Sequence, residues 1–107
     1  MAIPHAKSGE VIDIRLLGPT LRQTKTTTLV KTKALEVIRL VIPSGHNIPK
    51  HQVQGEITVQ CLEGKVSFTA GDRRVDLEPG QLLYLTGGEP HALHGIEDSS
   101  VLVTILL

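Results

Sequence analysis

Aromatic side chains are nearly absent from this chain of 107 residues, which has no Trp, one Phe and one Tyr. A hydrophobic core must therefore be built mainly from Leu, Val and Ile. Stacking platforms of the kind that bind bases or sugars are not expected, because they need several aromatic rings.

Cysteine is equally scarce, since Cys61 is the only one. One cysteine excludes an internal disulfide and a thiolate-rich zinc site. Its neighbours Gln60 and Leu62 lie in an apolar run, so we predict a core strand position for Cys61 rather than a reactive thiol.

The chain also lacks an excess of charge, because Lys plus Arg and Asp plus Glu number eleven each. No stretch places more than two like charges side by side, so neither a nucleic-acid surface nor an anionic-membrane surface is predicted. The expected partner is a small molecule or another protein.

Long hydrophobic runs are missing as well. The first residues, MAIPHAKSGEV, lack the apolar core of a signal peptide, and no run approaches the roughly 20 residues that span a bilayer. We therefore expect a cytoplasmic protein with no membrane partner. The length predicts one domain over 1–107, with 1–10 as a flexible arm that contains His5.

What the sequence does contain is a series of short runs rich in Val, Ile, Leu and Thr, each bounded by Gly, Pro, Asp or Ser. This pattern is typical of short antiparallel strands in a sandwich or barrel. No helical period persists, so we predict an all-β fold. The predicted strands are 11–17, 26–32, 35–42, 57–63, 65–70, 73–78, 81–86, 91–96 and 101–107.

The connections carry predictions of their own. The segment 18–25, GPTLRQTK, is expected to be a loop or one short helical turn. Gly71-Asp72 is a strong tight-turn signal, and with Gly64 it predicts a meander of hairpins over 57–78.

Two of the predicted strands are apolar on both faces. In LEVIRLVI, Ile38, Leu40 and Ile42 alternate with Val37 and Val41, and VLVTILL at 101–107 has the same character. A half-exposed strand should alternate apolar with polar residues, so something must cover the second face. A second copy of the chain would do so, and we therefore expect a homodimer.

Four histidines remain as candidates for chemistry, in the pairs His46 with His51 and His91 with His94. Neutral imidazole is a ligand for zinc, iron, copper and nickel. On an extended strand His91 and His94 point to opposite faces, so they should not bind one ion unless a bulge intervenes. His46 follows Gly45 at what looks like the solvent end of a turn.

At these residues the chain resembles the cupins, small β-barrels with two motifs, G-x5-H-x-H-x(3,4)-E-x6-G and G-x5-P-x-G-x2-H-x3-N. The resemblance covers roughly residues 35–107. In the first motif Gly45, His51 and Gly64 match, and in the second Gly80, Gly88 and His91 match. The resemblance implies an antiparallel double-stranded β-helix, also called a jelly-roll barrel.

The metal ligands of the motifs are only half present. Cupins that bind metal use three histidines and a glutamate, but here the second histidine position is Val53 and the glutamate position is Ile57. Two imidazoles alone would bind a divalent ion weakly. Glu56 stands one place early, and a bulge at Gly55 would turn its carboxylate inward to complete a triad. Strict alternation along 57–63 instead leaves Glu56 facing outward.

Three hypotheses for function follow. In the first, no cofactor is required, and a small molecule binds in the barrel cavity between His51 and His91. In the second, the protein is an oxygenase or isomerase in which His51, His91 and Glu56 hold Fe, Mn, Ni or Zn. In the third, the chain is a structural dimer with an inert cavity, where the two histidines bond each other or a water. The expected apolar pocket wall is Ile57, Val59, Cys61 and Leu93.

Overall fold

The structure is a computed structural model that describes residues 5–107. The part of the predicted N-terminal arm that precedes His5 lies outside these residues. A 3-10 helix covers Gly18–Gln23, where a loop or short helical turn was predicted. The strands are β1 Thr27–Lys31, β2 Leu35–Ile42, β3 Asn47–His51, β4 Ile57–Glu63, β5 Val66–Ala70, β6 Arg73–Leu77, β7 Leu82–Leu85, β8 His91–Gly95 and β9 Ser99–Leu106.

The strands form two sheets whose neighbours all run antiparallel. The larger sheet has the order β1-β2-β9-β4-β7 and the smaller has the order β3-β8-β5-β6. The prediction of an all-β double-stranded β-helix is therefore confirmed. The sheets pack face to face and do not close into a true barrel, because no ladder of hydrogen bonds joins β6 to β7 in the described residues.

The core lies between the inward faces of the two sheets and is almost entirely aliphatic. Every second residue of β4 is buried, as the alternation predicted, and Cys61 is fully buried in this row. Burial raises the pKa of the Cys61 thiol. The core position predicted for Cys61 is confirmed, and its thiol is protonated at neutral pH.

Two strand predictions were wrong. Residues 11–17 form no strand, because the amides of Leu17 and Gly18 bond the Glu63 carboxylate instead of a neighbouring backbone. In contrast, 47–51 is absent from the predicted strands but forms the edge strand β3. This strand contains Pro49, and an edge strand tolerates a proline whose missing N–H would face outward.

The predicted meander is also corrected. β5 and β6 form the hairpin around Gly71-Asp72, but β4 and β5 lie in different sheets. The chain crosses between them at Gly64, which has φ +81. A Cβ there would lie 2.2 Å from the Asp98 carbonyl oxygen, so the crossing requires glycine for both conformation and space.

Part of the outer face of the larger sheet is covered by the chain's own N-terminal segment. Leu21 in the 3-10 helix is only 3% exposed. Beneath this segment Arg39 forms an ion pair with Glu63 at 3.1 Å, and Ser100 bonds the same carboxylate at 2.5 Å. Farther along this face Leu82, Tyr84 and Leu106 stay exposed. The homodimer stays a prediction, which sedimentation at micromolar concentration would test.

Candidate functional site

His51 and His91 lie side by side at one end of the smaller sheet. They are cross-strand partners in the β3–β8 ladder, and their ring centroids are 4.4 Å apart. His51 is exposed, whereas His91 is only 4% exposed. The structure therefore brings together the two histidines that match the motifs, although they are 40 residues apart in sequence.

Each imidazole is held by one backbone carbonyl. Nδ1 of His51 lies 2.9 Å from the Pro49 oxygen, and Nδ1 of His91 lies 3.1 Å from the Glu89 oxygen. A carbonyl only accepts hydrogen bonds, so Nδ1 must be the protonated nitrogen of each neutral ring. The Nε2 lone pairs are then left to accept a hydrogen bond from another group.

Burial lowers the pKa of His91 from its usual value, and the nearby His51 lowers it further, while the Glu89 carbonyl acts in the opposite direction. The net shift is downward, so the ring is neutral at neutral pH. Its face stacks on Phe68, with centroids 5.5 Å apart and planes 11° from parallel. His91 thus joins the edge of the core to the open end of the site.

The other two histidines lie elsewhere. His94 faces outward on β8 and bonds the Asn47 side chain at 2.5 Å. His46 is exposed in the turn after Gly45, and its backbone pairs with Gly95. The prediction that His91 and His94 point to opposite faces is confirmed.

Glu56 does not join the histidine pair. Its carboxylate accepts a hydrogen bond from the Tyr84 hydroxyl, and this bond raises the pKa of Tyr84. The backbone explains the direction, because the Glu56 carbonyl accepts the Leu106 amide and so extends the β4–β9 ladder by one residue. Gly55 also packs closely against this strand, because a Cβ there would lie 1.7 Å from the Leu106 carbonyl oxygen.

The residues present do not fit the metal centre that cupin motifs imply. In residues 5–107, no three His, Cys, Asp or Glu side chains are grouped so that they could hold an ion. Val53 packs against the core and Ile57 is 2% exposed within it, so the two substituted ligand positions have become apolar structure. The histidine pair supplies two nitrogen ligands and no third.

A cavity of about 230 Å³ opens between the sheets, where β6 and β7 form unpaired edges. Its lining residues are Phe68, Ala70, Arg73, Val75, Leu83, Tyr84 and Leu85. The cavity adjoins the histidine pair, because Phe68 stacks on His91 and Ala70 is the ladder partner of His91. A more open depression of about 250 Å³ lies near Glu56 on the larger sheet.

The lining differs from the predicted one. Val59, Cys61 and Leu93 are packed in the core, and Ile57 borders the depression near Glu56. Neither His51 nor His91 lines the cavity itself, because the Phe68 ring covers the face of His91. The wall is supplied instead by β5, β6 and β7.

Sequence reasoning overlooked Arg73 in particular. A usable signal existed, because a two-residue turn at Gly71-Asp72 makes Ala70 and Arg73 cross-strand partners on the same face. Since alternation places Phe68 and Ala70 inward, Arg73 and Val75 had to face inward too.

The motif glycines have a common structural role. Gly45, Gly64, Gly80 and Gly88 all have positive φ, between +80 and +88. The residues that match the motifs therefore include four backbone positions that fix turns and crossings.

Comparisons with known proteins agree with this architecture. A family model described as a cupin domain matches residues 38–106. No curated protein matches the chain closely enough to count as a relative.

Solved structures are similar over nearly the whole chain. A conserved protein of unknown function from Streptococcus pyogenes is 23% identical, with a TM-score of 0.76 over 99% of this chain and 94% of that one. A cupin superfamily protein from Desulfitobacterium hafniense is 18% identical, with a TM-score of 0.78 over 95% and 99%. An RmlC-like cupin with a double-stranded β-helix fold from Methanocaldococcus jannaschii is 17% identical, with a TM-score of 0.75 over 92% and 93%. At these identities the similarity shows the fold alone.

Proposed function

The chain belongs to the cupin domain family, and from that premise we propose that it binds a small organic molecule in the opening between its two sheets, beside His51 and His91. The observation that carries the proposal is the contact between the 230 Å³ cavity and the histidine pair through Phe68 and Ala70. An apolar cleft with a few polar groups nearby is the usual form of a small-molecule site.

The protonation of the imidazoles suggests what the ligand offers. With Nδ1 bonded to a carbonyl, Nε2 of each neutral ring is an acceptor. A hydroxyl or N–H of a ligand that extends out of the cavity, past Phe68, would donate to it. No hydrogen bond to either Nε2 exists in the described residues, so a ligand would displace no protein partner there.

The cavity is smaller than the 300 to 1,000 Å³ that is usual for drug-sized ligands, at about 230 Å³. The proposed ligand is therefore a small metabolite rather than an oligomer or a large cofactor. A metal-dependent enzyme is not proposed, because the histidine pair has no third ligand in the part of the chain that the structure describes.

A metabolite screen by thermal shift, followed by chemical-shift mapping, tests the proposal. Hits should perturb the amides of the lining residues, and His91→Ala should remove their thermal shift because the Phe68 ring loses its stacking partner. His94→Ala is the matched control, since His94 lies on the same strand but faces outward.

His91→Gln is a second variant in case His91→Ala fails to fold. Hits that perturb no lining amide would show that the cavity is not the site, and hits that bind both His91 variants as tightly as the wild type would show that His91 does not support binding.

A further inference from the structure

Arg73 is the one charged residue that lines the cavity in the described residues. It is the first residue of β6, opposite Ala70, and its side chain lines the cavity together with Phe68 and Val75. The inward direction is imposed by the two-residue turn that joins β5 to β6. The hairpin register therefore places Arg73, which is exposed to solvent, on the side of β6 that faces the cavity.

This charge has no partner in the described residues. Arg73 is in none of the ion pairs of residues 5–107, and none of the residues that line the cavity is acidic. Its neighbour Arg74 differs, because it faces the other side of the sheet, bonds Ser67 at 2.8 Å and lies 3.7 Å from Asp76. Arg74 is therefore bonded within the protein, whereas Arg73 can bind a ligand.

Apart from Tyr84, the other side chains of the lining are hydrocarbon. The single tyrosine hydroxyl there is already engaged by Glu56. Among the lining residues, Arg73 is thus the polar group that would orient a ligand. A planar guanidinium binds a carboxylate through two parallel hydrogen bonds.

We infer that the ligand of this cavity carries a carboxylate, which Arg73 binds, on a short apolar body that contacts Phe68, Val75 and Leu85. This inference rests on the proposed function and names its ligand class. One arginine and a mostly apolar lining suit a singly charged acid better than a phosphate, which needs several donors.

Matched probe pairs test the inference. Benzoate and hexanoate are titrated against benzamide and hexanamide, and inorganic phosphate is the anion without an apolar body. Binding is followed by chemical-shift perturbation of residues 68–75 and 83–85. We expect each acid to bind about tenfold more tightly than its amide, which corresponds to one charge-assisted interaction.

Two charge-loss variants separate position from net charge. Arg73→Gln should make each acid bind no better than its amide, whereas Arg74→Gln should leave the preference intact. Arg73→Lys should restore part of it, because a lysine keeps the charge but loses the two-bond geometry.

The outcomes distinguish a failure of the carboxylate inference from a failure of the proposed small-molecule site. Amides that bind the cavity as tightly as acids, or an acid preference that persists in Arg73→Gln, would overturn the carboxylate alone. If phosphate bound as tightly as benzoate, the inference would also be overturned, because the binding would then be simple attraction of an anion to an exposed cation. If no probe perturbs the cavity residues, the carboxylate inference and the small-molecule site fail together.

Discussion

Two polar clusters lie on opposite sides of the same core, and they differ in how completely their atoms are bonded. On the outer face of the larger sheet, the Glu63 carboxylate accepts hydrogen bonds from Leu17, Gly18, Ser100 and Arg39. At the end of the smaller sheet, each imidazole of the histidine pair has one carbonyl partner through Nδ1.

This difference indicates that the outer cluster is structural, whereas the histidine pair can still bind another group. The outer cluster is saturated on its carboxylate, and in the described residues the buried side-chain atom left without a partner is Nε of Arg39. It holds the N-terminal segment over the sheet and has no acceptor left for a ligand. In the histidine pair the Nε2 atoms have no protein partner among the described residues, and the exposed His51 lies at an opening.

Glu63→Gln should therefore have the largest effect on stability. Arg39 is 7% exposed, so the variant leaves a buried guanidinium without a counter-charge. Breaking a buried pair in this way costs about 3 kcal/mol of unfolding free energy, which denaturant titration measures. A loss below about 1 kcal/mol would mean that the outer cluster is not structural.

The matched control is Asp76→Asn, which removes the same kind of charge from an exposed pair with Arg74 at 3.7 Å. It should change stability by about 0.5 kcal/mol or less.

A smaller loss of stability is expected at acid pH. Burial opposes ionisation of Glu63, but bonds from Ser100, Leu17 and Gly18 and the charge of Arg39 outweigh it, so its pKa lies below the usual 4.5. A depressed carboxyl pKa stabilises the fold above the unfolded-state value, and this contribution is lost as pH falls through the folded value. Wild type should lose more stability than Glu63→Gln below about pH 4.5. Parallel curves would show that Glu63 contributes nothing to acid unfolding.

The sequence predicted the backbone positions that shape the site better than the side chains that line it. Turn and crossing positions such as Gly64 and Gly88 are set by local backbone geometry, which a motif records directly. The pairing of Arg39 with Glu63 depends instead on how two distant strands and the N-terminal segment meet. The direction of Arg73 could have been predicted from the hairpin register alone. It was missed because exposed charges at a turn are usually solvated.

His91→Leu should change stability far less than Glu63→Gln, by less than about 1 kcal/mol in either direction. The ring is buried, but it gives up only one hydrogen bond, to the half-buried Glu89 that follows the turn at Gly87-Gly88. Leucine keeps the apolar contact with Phe68. A loss near that of Glu63→Gln would mean that the imidazole is part of the structural core.

The smallest effect is expected from metal. Two imidazoles at 4.4 Å without a third ligand form a weak site, so Fe(II), Mn(II), Ni(II) or Zn(II) at micromolar concentration should leave the Tm of the wild type nearly unchanged. His51→Ala serves as the reference, because it removes one of the two nitrogens and should show the same small response. A wild-type Tm increase that His51→Ala abolishes would show that a further ligand joins the pair, and Glu56→Gln would then test whether the carboxylate one place early turns inward to supply it.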